Sequence, residues 1–242
     1  MDVRTDMDLV EEIVHQASQQ TDVYRLDAAW SDRFGHPLSV DQGTFVPLYY
    51  LRKAGFTGPI VLMAPRFDDY DSMTRLGDIV IKAAKTLGRR IAVIASGDLS
   101  HRLLQGSPNG YTPNGAVFDK LVMEALLKQN LSGLSDLSRS FIDEIATCGL
   151  PSVYFLFGVL RHFRPVMPVY AYEAPFGVGY GVALYLPEGQ EDQVEKRDAF
   201  GHPRPPGPRK HYLLPAASRF DGRPQRSAGR TAGSSWHLRI PS

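Results

Sequence analysis

The run Ile91-Ala-Val-Ile-Ala95 passes directly into Ser96-Gly-Asp-Leu-Ser-His-Arg-Leu103, and no other stretch constrains the fold as tightly. A short, branched apolar run closed by glycine predicts a buried strand. Such a strand delivers Asp98 and His101 to a loop at its C-terminal end, the edge at which open α/β sheets bind ligands. A histidine there, three residues after a carboxylate, is a candidate proton-transfer group. The competing reading makes Asp98 and Ser100 turn caps and His101 an ordinary polar loop residue.

The pattern around this junction alternates. Leu9, Val10, Ile13, Val14 and Ala17 recur at helical spacing, with Thr5 or Asp6 available as cap. Residues 23–26 suit a short strand, 43–54 a helix ended by Gly55, and 59–64 a buried strand. A helix over 72–87 turns Met73, Leu76, Ile79, Val80 and Ala83 inward. After the 91–95 strand come a helix over 117–127 and two short helices within 131–145. A wholly apolar helix over 150–163 follows, then late strands over 165–172 and 178–186. This order predicts an α/β protein, specifically a three-layer α/β/α domain with a mixed sheet. Gly177, Gly179 and Gly181 alternate with larger residues, so they share one strand face and admit close approach by a helix.

Composition divides the chain at about residue 187. From Gly201 onward, 42 residues hold seven prolines, five glycines and a net charge of +7, which leaves −6 on the first 200. The reading is a domain over 1–187 and a Pro/Gly/Arg-rich disordered tail over 188–242, because such a composition cannot offset its chain entropy by burial. A mildly acidic body argues against a specific nucleic-acid partner. Cys148 is the sole cysteine, which fits a reducing compartment; taken alone it reads as a small buried residue. The acidic first turn, with no apolar leader behind it, and the lack of a run near ~20 apolar residues predict a cytoplasmic chain with no membrane partner.

Several strings, in order, carry a resemblance: Asp41-Gln-Gly-Thr-Phe-Val-Pro-Leu-Tyr49, Ser96 to Leu103, Gly110-Tyr-Thr-Pro-Asn-Gly115, Thr147-Cys-Gly-Leu150, and Tyr172-Glu-Ala-Pro-Phe-Gly-Val-Gly-Tyr-Gly181. As a set they resemble the class III extradiol ring-cleavage dioxygenase, LigB-like family, in its Memo-like branch called AmmeMemoRadiSam system protein B. The resemblance implies a non-haem Fe(II) site of two histidines and a carboxylate, with open positions for a catecholate and dioxygen. It places the catalytic base at His101, oriented by Asp98, and the metal carboxylate at Glu173. It further implies a small aromatic, catechol-like substrate, and an AMMECR-type protein and a radical SAM protein as partners.

The chain departs from that pattern. Two iron-binding histidines of the family lie in N-terminal strands ahead of the matched region, so the chain reads as N-terminally truncated. A third family histidine is replaced by Gln42, which can hydrogen-bond a substrate but cannot act as a base. His15 and His36 lie outside the matching context, Arg102 could take an anion, and His162 suits a helix C-terminus. His202, His211 and His237 fall in the tail. These departures predict an oxidoreductase-family domain with impaired catalysis. The alternatives are a Memo-like non-catalytic accessory module and an inactive fragment.

Overall fold

Aspartates open the first helices in the computed structural model, which describes residues 4–35, 40–107 and 109–190. The carboxylates of Asp6, Asp27, Asp41 and Asp69 each accept a backbone N–H three residues on. They start α1 (Met7–Ala17), α2 (Ala28–Phe34), α3 (Gln42–Lys53) and α4 (Tyr70–Thr86), and so satisfy N–H groups that a helix leaves open at its start. Hydroxyls cap two later helices: Thr112 accepts the Asn114 N–H at the start of α5 (Pro113–Lys128) and Ser138 the Phe141 N–H at the start of α7 (Arg139–Ile145), with α6 (Ser132–Ser135) between them. α8 (Leu150–Leu160) leads to the antiparallel strands β1 (Pro165–Glu173) and β2 (Tyr180–Pro187). α2 falls where the sequence pattern assigned no element. Its signals are the Asp27 cap and Gly35, which ends it at φ +67°.

The core lies where α4, α5 and α8 bury their apolar faces, with α1 packed on α4. Met73, Leu76, Ile79, Val80 and Ala83 are all buried, as the spacing predicted. α8 is apolar all round and is buried on nearly every side, the arrangement of a central helix. It lies so close to α4 that a Cβ on Gly77 would strike the Phe155 carbonyl, and one on Gly158 the Thr74 carbonyl. No single helix among the described residues is long and apolar enough to cross a membrane.

The hairpin rests on α5 through three phenols. Tyr172 donates to Asp119 Oδ2 at 2.6 Å, Tyr170 to the Met123 carbonyl at 2.9 Å, and Tyr185 to the Leu126 carbonyl at 2.7 Å. Gly179 and Gly181 face α5 from the strand side: a Cβ on them would strike Asp119 and Met123. This is the close helix approach that the alternating glycines predicted, met by these two; Gly177 instead lies in the turn before β2 at φ +79° and packs on Ser107.

The expected sheet is only partly formed. Among the described residues the one ladder is β1–β2, with an isolated parallel bridge between Thr5 and Ile60. The anticipated strands at 23–26, 59–64 and 91–95 are not part of any ladder. Half-buried Ile91, Val93 and Ala95 alternate with exposed Ala92, Ile94 and Ser96, so a strand's period persists without a strand's partner. The family-level mixed sheet is therefore not assembled among these residues. At the other end, Glu188 N–H closes onto the Arg164 carbonyl after β2. The tail expected from 188 lies, beyond residue 190, outside the described residues, as does His36.

Candidate metal site

The loop after residues 91–95 is fixed by three neighbours. Leu99 N–H donates to the Gly179 carbonyl and Gly179 N–H to the Ser100 carbonyl, both at 2.9 Å, which ties the loop to the segment entering β2. The Asp98 carbonyl accepts from Gly149 N–H at 2.8 Å and from Thr147 Oγ1 at 3.1 Å. The Ser96 hydroxyl donates to the Gly43 carbonyl in the first turn of α3. Gly97 and Gly149 meet so closely that a Cβ on Gly97 would strike Gly149, and one on Gly149 the Asp98 carbonyl. The Thr147-Cys-Gly string is thereby pressed against Asp98 just where α8 begins.

This packing gathers three donor side chains. His101 Nε2 lies 3.3 Å from Asp98 Oδ2 and 3.9 Å from Cys148 Sγ, and the Asp98 backbone N–H points at Cys148 Sγ at 3.1 Å. One imidazole nitrogen, one carboxylate oxygen and one sulfur all lie within 4.8 Å of one another, each on a half-buried residue. Burial pushes the Cys148 thiol up from its ordinary range, opposed by the Asp98 N–H. A metal ion would favour the thiolate and release that proton.

The sequence-derived residues divide between this cluster and its surroundings. Asp98 and His101 are in it. Gln42 is an exposed residue in the first turn of α3, next to the Gly43 carbonyl that holds Ser96. Glu173 ends β1 opposite Tyr180 and is exposed, outside the three-donor cluster. His162 instead bonds Asp78 Oδ1 at 2.7 Å, joining the end of α8 to α4. His15 sits in the last turn of α1. Arg102 buries its Nε with no hydrogen-bond partner among the described residues, and its charge contributes to holding the Glu144 carboxyl low, after the bonds from Thr112 and Asn114.

Two residues went unrecognised in the sequence. Cys148, read there as a small buried residue, brings its sulfur into the donor cluster; its only signal was membership of the Thr147–Leu150 string. The other is Asp119, 2% exposed on the inward face of α5. It accepts the Ser100 N–H at 2.8 Å as well as the Tyr172 hydroxyl. Burial pushes its carboxyl up to about 6 against those two bonds. An acid within an apolar helix face was the signal.

The donor set has a defined chemical capacity. One imidazole, one carboxylate and one thiol can hold a divalent transition metal, and the sulfur favours thiophilic ions such as zinc or copper(I). A second imidazole, which a 2-His-1-carboxylate iron site needs, is not gathered among the described residues. The donor set therefore fits a metal ion but not, by itself, the iron set of ring cleavage.

A family model described as the catalytic LigB subunit of aromatic ring-opening dioxygenase matches residues 1–183, and the chain belongs to that family. It is also similar to Protein CA_C1420 of Clostridium acetobutylicum, with 35% identity over 150 residues, covering 62% of this chain and 32% of that protein. The chain thus spans about a third of the length of that curated relative.

Proposed function

We propose that this chain is a three-layer, Memo-like LigB domain that binds a divalent metal through Asp98, His101 and Cys148, with ring-cleavage activity impaired. The convergence of those three side chains within 4.8 Å is the observation that carries this reading. A bound metal would supply Lewis acidity and open positions for an oxygen-rich aromatic ligand. With its Nε2 given to the metal on this reading, the His101 imidazole has no lone pair left for the base role that the resemblance assigned it, which adds to the impairment; Gln42 would hydrogen-bond the ligand from α3. The resemblance also assigns a carboxylate ligand at Glu173, which is exposed at the end of β1.

Impairment follows from the donor count. Fe(II) chemistry on a catecholate needs two imidazoles and a carboxylate, and the position where the family carries a histidine holds Gln42. That same substitution favours the second reading, a non-catalytic accessory module. On this reading the AMMECR-type and radical SAM proteins are its partners, in the cytoplasm. Oxygen uptake by the iron-loaded protein with a panel of catechols tests the proposal. No ring-opened product is expected. Product formation that disappears in His101→Ala would overturn the impairment.

A further inference from the structure

The donor loop is anchored from beneath by a side chain that touches none of the three donors. Asp119 Oδ1 accepts the Ser100 backbone N–H, and its Oδ2 accepts the Tyr172 hydroxyl. Ser100 is fully buried and passes the restraint on: its Oγ accepts the Arg102 N–H at 3.1 Å and donates to the Ile145 carbonyl at 3.3 Å. The Leu103 N–H then meets the Gly177 carbonyl at 3.0 Å, and the Arg102 carbonyl accepts from Thr112 N–H at 3.0 Å. His101 is therefore suspended between two pinned residues. Gly179 permits this geometry, since a Cβ there would strike Asp119.

We propose that Asp119, braced by Tyr172, is a positioning residue that sets the direction of His101 and Asp98 towards Cys148. The inference rests on the metal-site reading for its functional meaning, but the geometry it asserts is independent of any metal. Side chains that orient metal ligands typically alter affinity by 10–100-fold when removed. The relevant group is an oxygen that accepts the Ser100 N–H, so an amide should serve where a methyl cannot.

The test compares wild type with Asp119→Ala, Asp119→Asn and Tyr172→Phe, with folding verified by circular dichroism. Anaerobic cobalt(II) titration reads the affinity and the thiolate-to-cobalt absorption band. Alkylation of Cys148, the sole thiol, reads the loop without metal. Asp119→Ala should weaken cobalt binding by about 10–100-fold, shift the band and speed alkylation several-fold. Asp119→Asn should restore both readouts almost to wild type, and Tyr172→Phe should fall between. Unchanged alkylation and cobalt binding in folded Asp119→Ala, or an Asn variant as impaired as the Ala one, overturns the proposal. Should Asp119→Ala not fold, a Tyr172→Phe protein indistinguishable from wild type overturns it. If wild type takes up no cobalt, the metal-site reading fails, and the alkylation rates alone decide the positioning role.

Discussion

The α4–α8 crossing and the two apolar segments at 59–64 and 91–95 carry equally strong sequence signals, yet they end in opposite states. Along α4 and α8 the apolar residues are buried and the backbone satisfies itself. Along the two segments Val61, Ile91 and Val93 pack on the core, but Leu62 and Ile94 remain about half exposed, at 50% and 52%. Among the described residues, no backbone–backbone hydrogen bond reaches 61–64 or 91–95. The difference is one of locality. A helix closes its hydrogen bonds within itself, whereas a strand needs a neighbour that its own sequence cannot supply. Unpaired edges of this kind are ready templates for another strand.

Core truncation gives the largest expected contrast. Phe118→Ala should cost about 3–5 kcal/mol in urea unfolding, because Phe118 is fully enclosed. Ile94→Ala should stay within about 1 kcal/mol, as for an exposed position. Equal costs would break the comparison by showing that 91–95 is covered in solution.

Next in size is a pH effect from the buried end of the site. The Asp119 carboxyl is held up at about 6, so the folded state binds its proton more tightly than the unfolded chain does. The associated stability is complete below about pH 4 and is lost as pH rises through 6. Relative to Asp119→Asn, wild type should lose up to roughly 3 kcal/mol between pH 4 and pH 7. A flat difference would show that Asp119 titrates normally and is solvated.

Smaller still is the cap of the better-packed region. Asp69 holds the Ser72 N–H at 2.9 Å and also bonds the Ser72 hydroxyl. Asp69→Ala should cost about 1 kcal/mol in thermal or urea unfolding, and no loss would mean that α4 starts elsewhere. Amide hydrogen exchange sharpens the comparison without mutation: 61–64 and 91–95 should exchange well before α4 and α8. Comparable protection would require a backbone partner for those segments.

What was legible in the sequence follows the same division. Helices with periodic apolar faces were readable, as with the α1 cap at Asp6 and the inward face of α4, but the start of α5 at Pro113 was read four residues late, α8 ends at Leu160 rather than 163, and the short capped α2 was missed. The hairpin was readable from its branched runs, and the glycine alternation foretold the approach of α5. Strand pairing at 59–64 and 91–95 was not readable, because ladder partners are non-local. Within the site, Asp98 and His101 were visible from one loop. Cys148 became visible only when Gly149 met Gly97, a contact made across about fifty residues of chain. The ligand role of Glu173 came by resemblance alone; the structure puts it exposed at the end of β1, opposite Tyr180.

The claim on which the functional account depends is that Asp98, His101 and Cys148 form one metal site. Anaerobic cobalt(II) titration of wild type, His101→Ala and Cys148→Ser tests it most directly. The account predicts saturation at one equivalent with a thiolate-to-cobalt band in wild type. The band should vanish in Cys148→Ser, and binding should collapse in His101→Ala. Failure of wild type to saturate, or full binding that survives His101→Ala, would contradict it.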